Sequence, residues 1–290
     1  KKNIITFGID PILKKYKENY ININYSTSDF FSASKIRKKI KTSFKIITAL
    51  SVFYDSINPN KFLIDVKKLL DKNGIFLLEF ADLSSIIKFK MFDTICHEHL
   101  EYYSSKIIIN LIKKNGLRVF DIKSNDINGG SKQYFICHNE SKYKSNKTKI
   151  TNIIMNENKL RLSSESTYKK FFLNIKDIKV KLSKVLNKIK KQKKTIHCYG
   201  ASTKGNVLLQ YFGIDNKIID YAAERNKSKY NLYTPGTKIK IISENHSRAL
   251  NPDYYLVLPW HFKKEILMRE KKIRKKGTKF IFPLPKLKII

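Results

Sequence analysis

The chain has 290 residues, 59 Lys and Arg against 24 Asp and Glu, a formal net charge of +35 and 42% apolar residues. That length allows two domains, each with its own core, while three scattered cysteines (Cys96, Cys137, Cys198) exclude a disulfide framework and a cysteine metal knuckle and fit a reducing cytoplasm. No apolar run reaches the ~18 residues of a membrane span, and the dispersed lysines, with only 10 Gly and 7 Pro, read as AT-rich codon bias rather than a nucleic-acid surface.

The expected partner is therefore neither nucleic acid nor membrane, although a basic surface suits anionic small substrates such as sugar nucleotides. The chain opens on Lys1-Lys2-Asn3, without Met, and reads as a fragment. Residues 4–9 form an apolar strand ending at Asp10-Pro11, followed by a short basic helix; 22–25 is a weaker strand. A strand over 44–50 and a helical face over 61–70 lead to an Asn73-Gly74 turn and a strand over 75–80. A helix over 105–114 stops at Asn115-Gly116. Strands over 117–122 and 132–137 flank a Gly129-Gly130 turn as an antiparallel pair. Residues 140–194 are rich in Lys, Asn and Ser, and from Glu165 onward their apolar spacing predicts a long amphipathic helix joining two domains. The α/β rhythm then restarts with strands over 195–199, 217–222, 254–258 and 279–282, and a helix over 206–211. This alternation predicts mostly parallel, doubly wound sheets.

Four places could carry chemistry. The segment Asp93-Thr94-Ile95-Cys96-His97-Glu98-His99-Leu100-Glu101-Tyr102-Tyr103-Ser104 concentrates two of the six histidines with carboxylates and tyrosines after a strand. His97 and His99 cannot share a helical face, which removes an HExxH-type zinc pair, and no third ligand is evident. General acid–base work fits better, with a His oriented by Glu98 or Glu101 and tyrosine hydroxyls near an oxyanion. A hydrogen-bonded network bracing a loop is the structural alternative. The glycine-bounded loop Gly200-Ala201-Ser202-Thr203-Lys204-Gly205, between strand and helix, exposes backbone N–H groups to a phosphate, although it is neither GxGxxG nor a P-loop. Asp10, at a strand end, could hold two ribose hydroxyls or act as a turn cap. Asp29-Phe30-Phe31 could flank an adenine or start a helix.

The His-Glu-His segment, with Phe92 before it, closely resembles the signature of the deoxysugar C-methyltransferases, which use S-adenosylmethionine (SAM) and act on nucleotide-linked keto-sugars. The resemblance extends in order through Asn128-Gly129-Gly130-Ser131, the loop Tyr199 to Asn206, Glu224-Arg225-Asn226, Tyr233-Thr234-Pro235-Gly236-Thr237 and Leu258-Pro259-Trp260-His261-Phe262. It implies a partial class I SAM-methyltransferase domain over 1–139, a linker with the long helix over 140–194, and a C-terminal Rossmann-like domain over 195–290. It also implies His99 as the base, Glu98 and Tyr103 orienting it or holding the sugar, and substrate contacts at Tyr54, His97, Gly200, Ser202, Lys204 and His261. Ser202 and Lys204 would lie near the nucleotide diphosphate. Asp10, Pro11, Asp29, Phe30, Ala49, Leu50 and Ser51 would line SAM.

Relatives carry an N-terminal zinc domain, so zinc is expected only there and no metal in this chain. The cysteine-rich zinc domain and the first strand with its SAM loop are not in this sequence, so SAM binding and first-domain stability are expected to be weak. Cys96 stands where several relatives have Tyr, which bears on substrate and proton path. The expected protein is a cytoplasmic, monomeric C-methyltransferase. The alternatives are O- or N-methylation of a related sugar, or an inactive fragment that binds sugar nucleotide.

Overall fold

The computed structural model describes residues 4–290; the Lys1-Lys2-Asn3 opening lies outside the described residues. Two compact units result, neither contiguous in sequence. The first comprises residues up to Phe80 with Ser105–Lys123 and Gln133–Ile153, and the second Ala81–Ser104, Ser124–Lys132 and Ile154–Ile290.

In the first unit, β1 (Phe7–Ile9) and β2 (Tyr25–Thr27) form a parallel two-stranded ribbon. Helix α1 (Ala33–Arg37) contributes Ala33 and Ile36, which pack with Leu69, Phe7, Ile9, Phe31, Phe44 and Ile47 into a small apolar cluster. Strand β3 (Phe44–Leu50), helix α2 (Pro59–Leu69) and strand β4 (Leu70–Phe80) make a parallel crossover unit. Asn58 starts α2 by accepting the Lys61 N–H at 2.9 Å, with Pro59 in the first turn where its missing N–H costs nothing. The β3–β4 register jumps from Phe44↔Leu70 to Ile46↔Ile75, so Asn73-Gly74 is a bulge within one long strand rather than a turn before it.

After α3 (Leu83–Phe89) the chain returns through α4 (Ser105–Lys114), β5 (Leu117–Asn125) and β6 (Ser131–His138), giving the sheet order β3-β4-β6-β5. Among the described residues no strand lies between the ribbon and β3, whose Ile46 and Leu50 are 67% and 51% exposed.

Next come α5 (Lys147–Lys159) and the 27-residue α6 (Glu165–Lys191), then β7 (Ile196–Tyr199), α7 (Thr203–Phe212), β8 (Tyr221–Glu224) and β9 (Ile241–Ser243). The chain ends through α8 (Glu244–Ala249), β10 (Tyr254–Val257), α9 (Lys263–Arg269), α10 (Lys271–Lys275), β11 (Lys279–Phe282) and β12 (Lys288–Ile289). The second unit's sheet runs β9-β8-β7-β10-β11-β12, all parallel except β12. Counted within the unit this is the 3-2-1-4-5-6 order of dinucleotide-type sheets, with its crevice where the order reverses, between β7 and β10. The stripe Phe171, Ile175, Ile178, Leu182, Leu186 and Ile189 recurs at helical spacing along α6 and joins the core of this sheet. Ile218 and Ile219, read from sequence as strand, instead close a turn: both N–H groups bond the Asp215 carbonyl, at 3.1 and 2.9 Å, and the Asp215 side chain accepts Lys217 N–H. Among the described residues no helix is long and apolar enough to cross a membrane.

His197 in β7 is 2% exposed, and its Nδ1 lies 2.8 Å from Ser247 Oγ. Burial pulls its pKa down to about 4, with Asp220 opposing and His246 assisting. A histidine buried neutral supports the fold fully above its unfolded value of about 6.5, and loses that support as pH falls toward the folded value. Thermal melts from pH 7.5 to 4 should therefore show a loss that His197→Gln reduces, by on the order of 3 kcal/mol at most. An unchanged pH slope in the variant would exclude His197 as its source.

Candidate active site

The acid–base segment belongs to the second unit. Asp82 caps α3 by accepting the Ser85 N–H at 3.3 Å, and Lys90 ends the helix in the left-handed region at φ 55. A single 3-10 turn, Phe92–Thr94, follows and is buried throughout. The Phe92 ring lies 4.9 Å from Phe212 and 5.3 Å from Tyr211, which fastens the turn to α7. Asp93 is 2% exposed; its Oδ2 accepts the Trp260 indole N–H at 2.9 Å, while Oδ1 is buried with no hydrogen-bond partner among the described residues. Burial pushes the Asp93 pKa up, against the pull of the Lys204 charge and the Trp260 N–H. The Trp260 ring sits on Gly129, where φ is +94 and a Cβ would come within 2.9 Å of Trp260 Cη2. That contact accounts for glycine in the Asn128-Gly129-Gly130 motif.

His99 is half-buried. Its Nδ1 lies 3.3 Å from Thr94 Oγ1, and its backbone N–H donates to Cys96 O at 3.2 Å. Burial lowers its pKa and the Lys204 charge adds to that, while Thr94 and Glu98 oppose it. The imidazole is thus biased toward the neutral, proton-accepting form. Tyr103 is buried, and burial followed by the Glu101 charge pushes its phenol up to about 12, so it remains a donor at neutral pH. His97 and Glu98 are exposed; the Cys96 thiol donates to Glu98 Oε2 at 3.9 Å.

The glycine loop between β7 and α7 faces the same unit. Gly200 has φ +86, and a Cβ there would stand 3.1 Å from Pro259 Cδ. Gly200→Ala should cost about 1–3 kcal/mol in chemical denaturation through strain and crowding; a loss below about 0.5 kcal/mol, the range of a surface substitution, would contradict this. Ser202 caps α7, accepting the Gly205 N–H at 3.2 Å. Glu224, at the end of β8, accepts Ala201 N–H at 2.9 Å, Arg225 N–H at 2.7 Å and Asn226 N–H at 3.0 Å. Burial alone would raise this carboxyl, but the three donors hold it below the usual range. Gly200, Ser202, Glu224, Arg225, Pro259 and Arg269 line a cleft of 420 Å³ at the C-terminal ends of the strands, where open α/β sheets bind ligands.

Lys204 does not line that cleft. Among the described residues it makes no ion pair; burial lowers its pKa, and Asp93 and Cys96 oppose the drop. Asn206 Oδ1 and His261 Nδ1 are also buried without hydrogen-bond partners among the described residues, and burial with the Lys204 charge pulls His261 down to about 4. The Lys204 charge thus bears on Asp93, His99 and His261. Sequence reasoning missed Asp93, Trp260, Asn206 and Glu224 as members of the site, although each stands in a motif that marks a strand exit or helix start.

The SAM candidates and Tyr54 fall in the first unit. Asp10 follows β1 and its Oδ1 accepts the Ile12 N–H at 2.8 Å, a turn cap at the strand end. Pro11 beside it is exposed. Asp29 pairs with Lys35 at 2.5 Å, and the neighbouring Phe30 ring is 73% exposed. Ala49 is buried and Leu50 half-exposed at the end of β3. Ser51 adopts φ 57 and donates its N–H to Glu79 O at 2.8 Å. Tyr54 is half-buried in the 3-10 turn Phe53–Asp55.

A second buried feature had no sequence signal beyond one lysine among many. Lys132 Nζ bonds Asp82 Oδ2 at 2.7 Å, Glu157 Oε1 at 2.8 Å and Ser84 Oγ at 3.1 Å. It joins the Gly129-Gly130 hairpin, the cap of α3 and the end of α5, and so braces the helix from which the acid–base segment leaves.

Residues 126–285 match a family profile described as the C-methyltransferase C-terminal domain. The curated C-methyltransferase NovU of Streptomyces niveus is 30% identical over 225 residues, covering 78% of this chain and 53% of NovU. The chain therefore spans about half the length of that relative. Among solved structures, PKMT2 from Rickettsia typhi in complex with AdoHcy aligns at 12% identity and TM-score 0.36, over 48% of this chain and 45% of that one. A SAM-dependent methyltransferase from Clostridium acetobutylicum aligns at 12% identity and TM-score 0.34, over 47% and 75%. Likeness at those scores adds nothing to the fold described above.

Proposed function

Because the chain belongs to the C-methyltransferase family, we propose that it moves a methyl group from SAM to the carbon beside the keto group of a nucleotide-linked deoxysugar, with His99 as base. The observation that carries this reading is the His99 setting: a half-buried imidazole biased neutral, with Nδ1 at 3.3 Å from Thr94 Oγ1. In the tautomer that donates Nδ1–H to Thr94, the basic lone pair stands on Nε2. A proton beside a carbonyl is within reach of such a base when donors meet the oxygen's growing charge. Tyr103, protonated at neutral pH, is one such donor. Glu98 acts on the imidazole by its charge, and His97 and Glu98 contact the sugar. The cleft at Gly200 and Ser202 receives the nucleotide part.

An exposed aromatic, Phe30, after β2 and a carboxylate, Asp10, at the end of the paired strand β1 suit an adenosine, and Ser51 beyond β3 adds a backbone turn. These residues, with Pro11, Asp29, Ala49 and Leu50, would hold SAM. When bound, it supplies a methyl group made electrophilic by sulfonium. The chain's own residues bind and orient the sugar and remove the proton.

The test is product analysis with methyl-13C SAM, the full-length protein and a nucleoside-diphosphate-linked keto-deoxysugar. The expected product shows one-bond carbon–carbon coupling to the new methyl. A methyl bound to oxygen or nitrogen would overturn the reading, because neither needs a carbon-proton base.

A further inference from the structure

We propose that Arg225 and Arg269 hold the diphosphate of the substrate's nucleotide, so that this dinucleotide-type cleft grips its anion with two side chains rather than with its glycine turn. The inference deepens the reading above and rests on it. All of the residues involved belong to the second unit.

The glycine turn is already engaged. In a sheet of this order, the turn after the first strand presents its N–H groups to a diphosphate. Here the Gly200 N–H donates to Ala223 O at 2.7 Å, and the Ala201 N–H donates to Glu224 Oε2 at 2.9 Å. Glu224 Oε1 takes the Arg225 and Asn226 N–H groups as well, so a carboxylate of the chain itself fills the place beside the turn. A phosphate brought against that carboxylate would meet like charge.

Free donors stand elsewhere in the lining. Arg225 is exposed, and among the described residues its guanidinium has no hydrogen-bond or ion-pair partner. Arg269 is anchored on one side only. Its Nε donates to the Tyr199 hydroxyl at 3.0 Å, as does its Nη2, which also donates to Glu244 Oε1 at 2.9 Å. The same guanidinium lies 5.4 Å from the centre of the Tyr199 ring. Among the described residues its Nη1 is not engaged, so its N–H groups remain on a fork that is oriented before a ligand arrives. Ser202, whose Oγ accepts the Gly205 N–H at 3.2 Å, keeps its own O–H to donate.

The acceptors of the lining are largely occupied. Glu224 is satisfied as above, and Glu244 takes Arg248 at 2.7 Å besides Arg269. Glu265 is the remaining carboxylate and is exposed on α9. Such a wall suits a ligand built of acceptors, and the planar guanidinium fork matches phosphate oxygens two at a time. Pro259, Phe262 and Ile266 give the cleft an apolar side for the base.

Isothermal titration calorimetry of the full-length protein tests this with UDP, TDP and GDP, with pyrophosphate, and with the nucleoside of the tightest-binding diphosphate. Arg225→Met and Arg269→Lys should each weaken that diphosphate and pyrophosphate by about fivefold or more, the loss of a charge-assisted hydrogen bond, and leave the nucleoside unaffected. Arg225→Lys should recover part of the first loss. Arg269→Gln, read the same way, stands in if the Lys variant does not fold. A smaller loss in either position, or a matching loss for the nucleoside, overturns the proposal. If that happens while the wild-type protein binds a nucleoside diphosphate, the functional reading survives and the anion returns to the start of α7. If the wild type binds none of these diphosphates at millimolar concentration, the nucleotide-linked substrate falls and the proposal with it.

Discussion

His99→Asn should reduce methyl transfer by about 10³-fold, within the range that a positioned general base contributes, while SAM affinity stays within twofold. Asparagine keeps a polar group near Thr94 Oγ1 but has no basic nitrogen. The fold should tolerate it, since His99 is half-buried and its backbone bond to Cys96 remains. Because burial and the Lys204 charge lower the His99 pKa, the acid limb of the wild-type rate should fall below the ordinary histidine value of about 6.5. The sign is fixed by chemistry: the neutral imidazole is active, so the rate rises with pH through the folded pKa and is level at neutrality. Removing the Lys204 charge should move that limb upward. A rate limb above the ordinary value, or turnover in the Asn variant within tenfold of wild type, would remove His99 from the role.

Lys132→Met should be the most damaging substitution for stability, at about 3–5 kcal/mol. Lys132, Asp82 and Glu157 are 7%, 0% and 4% exposed. Methionine keeps much of the volume but leaves two carboxylates buried together, with no cation between 2.7 and 2.8 Å as in the native protein. Breaking one member of a buried ionic group costs more than the group contributes as a whole, because the remaining charges keep their desolvation penalty. Combining Lys132→Met with Glu157→Gln and Asp82→Asn should therefore recover part of the loss. Urea unfolding measures both. A single-variant loss below about 1 kcal/mol, the size typical of an exposed pair, would show the network to be solvated. Since Asp82 also caps α3, the damaged variant should lose order in the acid–base segment before the β7–β11 sheet melts.

How much of this was legible in the sequence depends on whether the signal was local. The strand Phe44–Leu50, the helix Ser105–Lys114 and the strand Lys279–Phe282 were read with their observed bounds, because apolar periodicity and an Asn-Gly stop carry them. The long helix from Glu165 was equally plain. Leu83–Phe89 was missed: its run Ala81-Asp82-Leu83-Ser84-Ser85 looks like a turn, and only the Asp82 cap betrays a helix start. Lys147–Lys159 was hidden by its polarity, since a stretch rich in Lys and Asn reads as linker until packing is known. The site divides the same way. Clustered polarity after a strand pointed to His99, and the glycine loop pointed to Gly200 through Lys204. The Asp93–Trp260 bond joins residues 167 apart, and no periodicity encodes it. Lys132 could not be told from the solvated lysines around it until its two carboxylates were seen.

The most direct measurement is exchange without chemistry at the methyl. Full-length wild-type protein, a nucleoside-diphosphate-linked keto-deoxysugar and S-adenosylhomocysteine are incubated in heavy water, and deuterium is located in the sugar. Incorporation at the carbon beside the ketone, lost in His99→Asn, is the predicted result. A sugar recovered without deuterium at that carbon, from protein that still methylates it, would contradict the account.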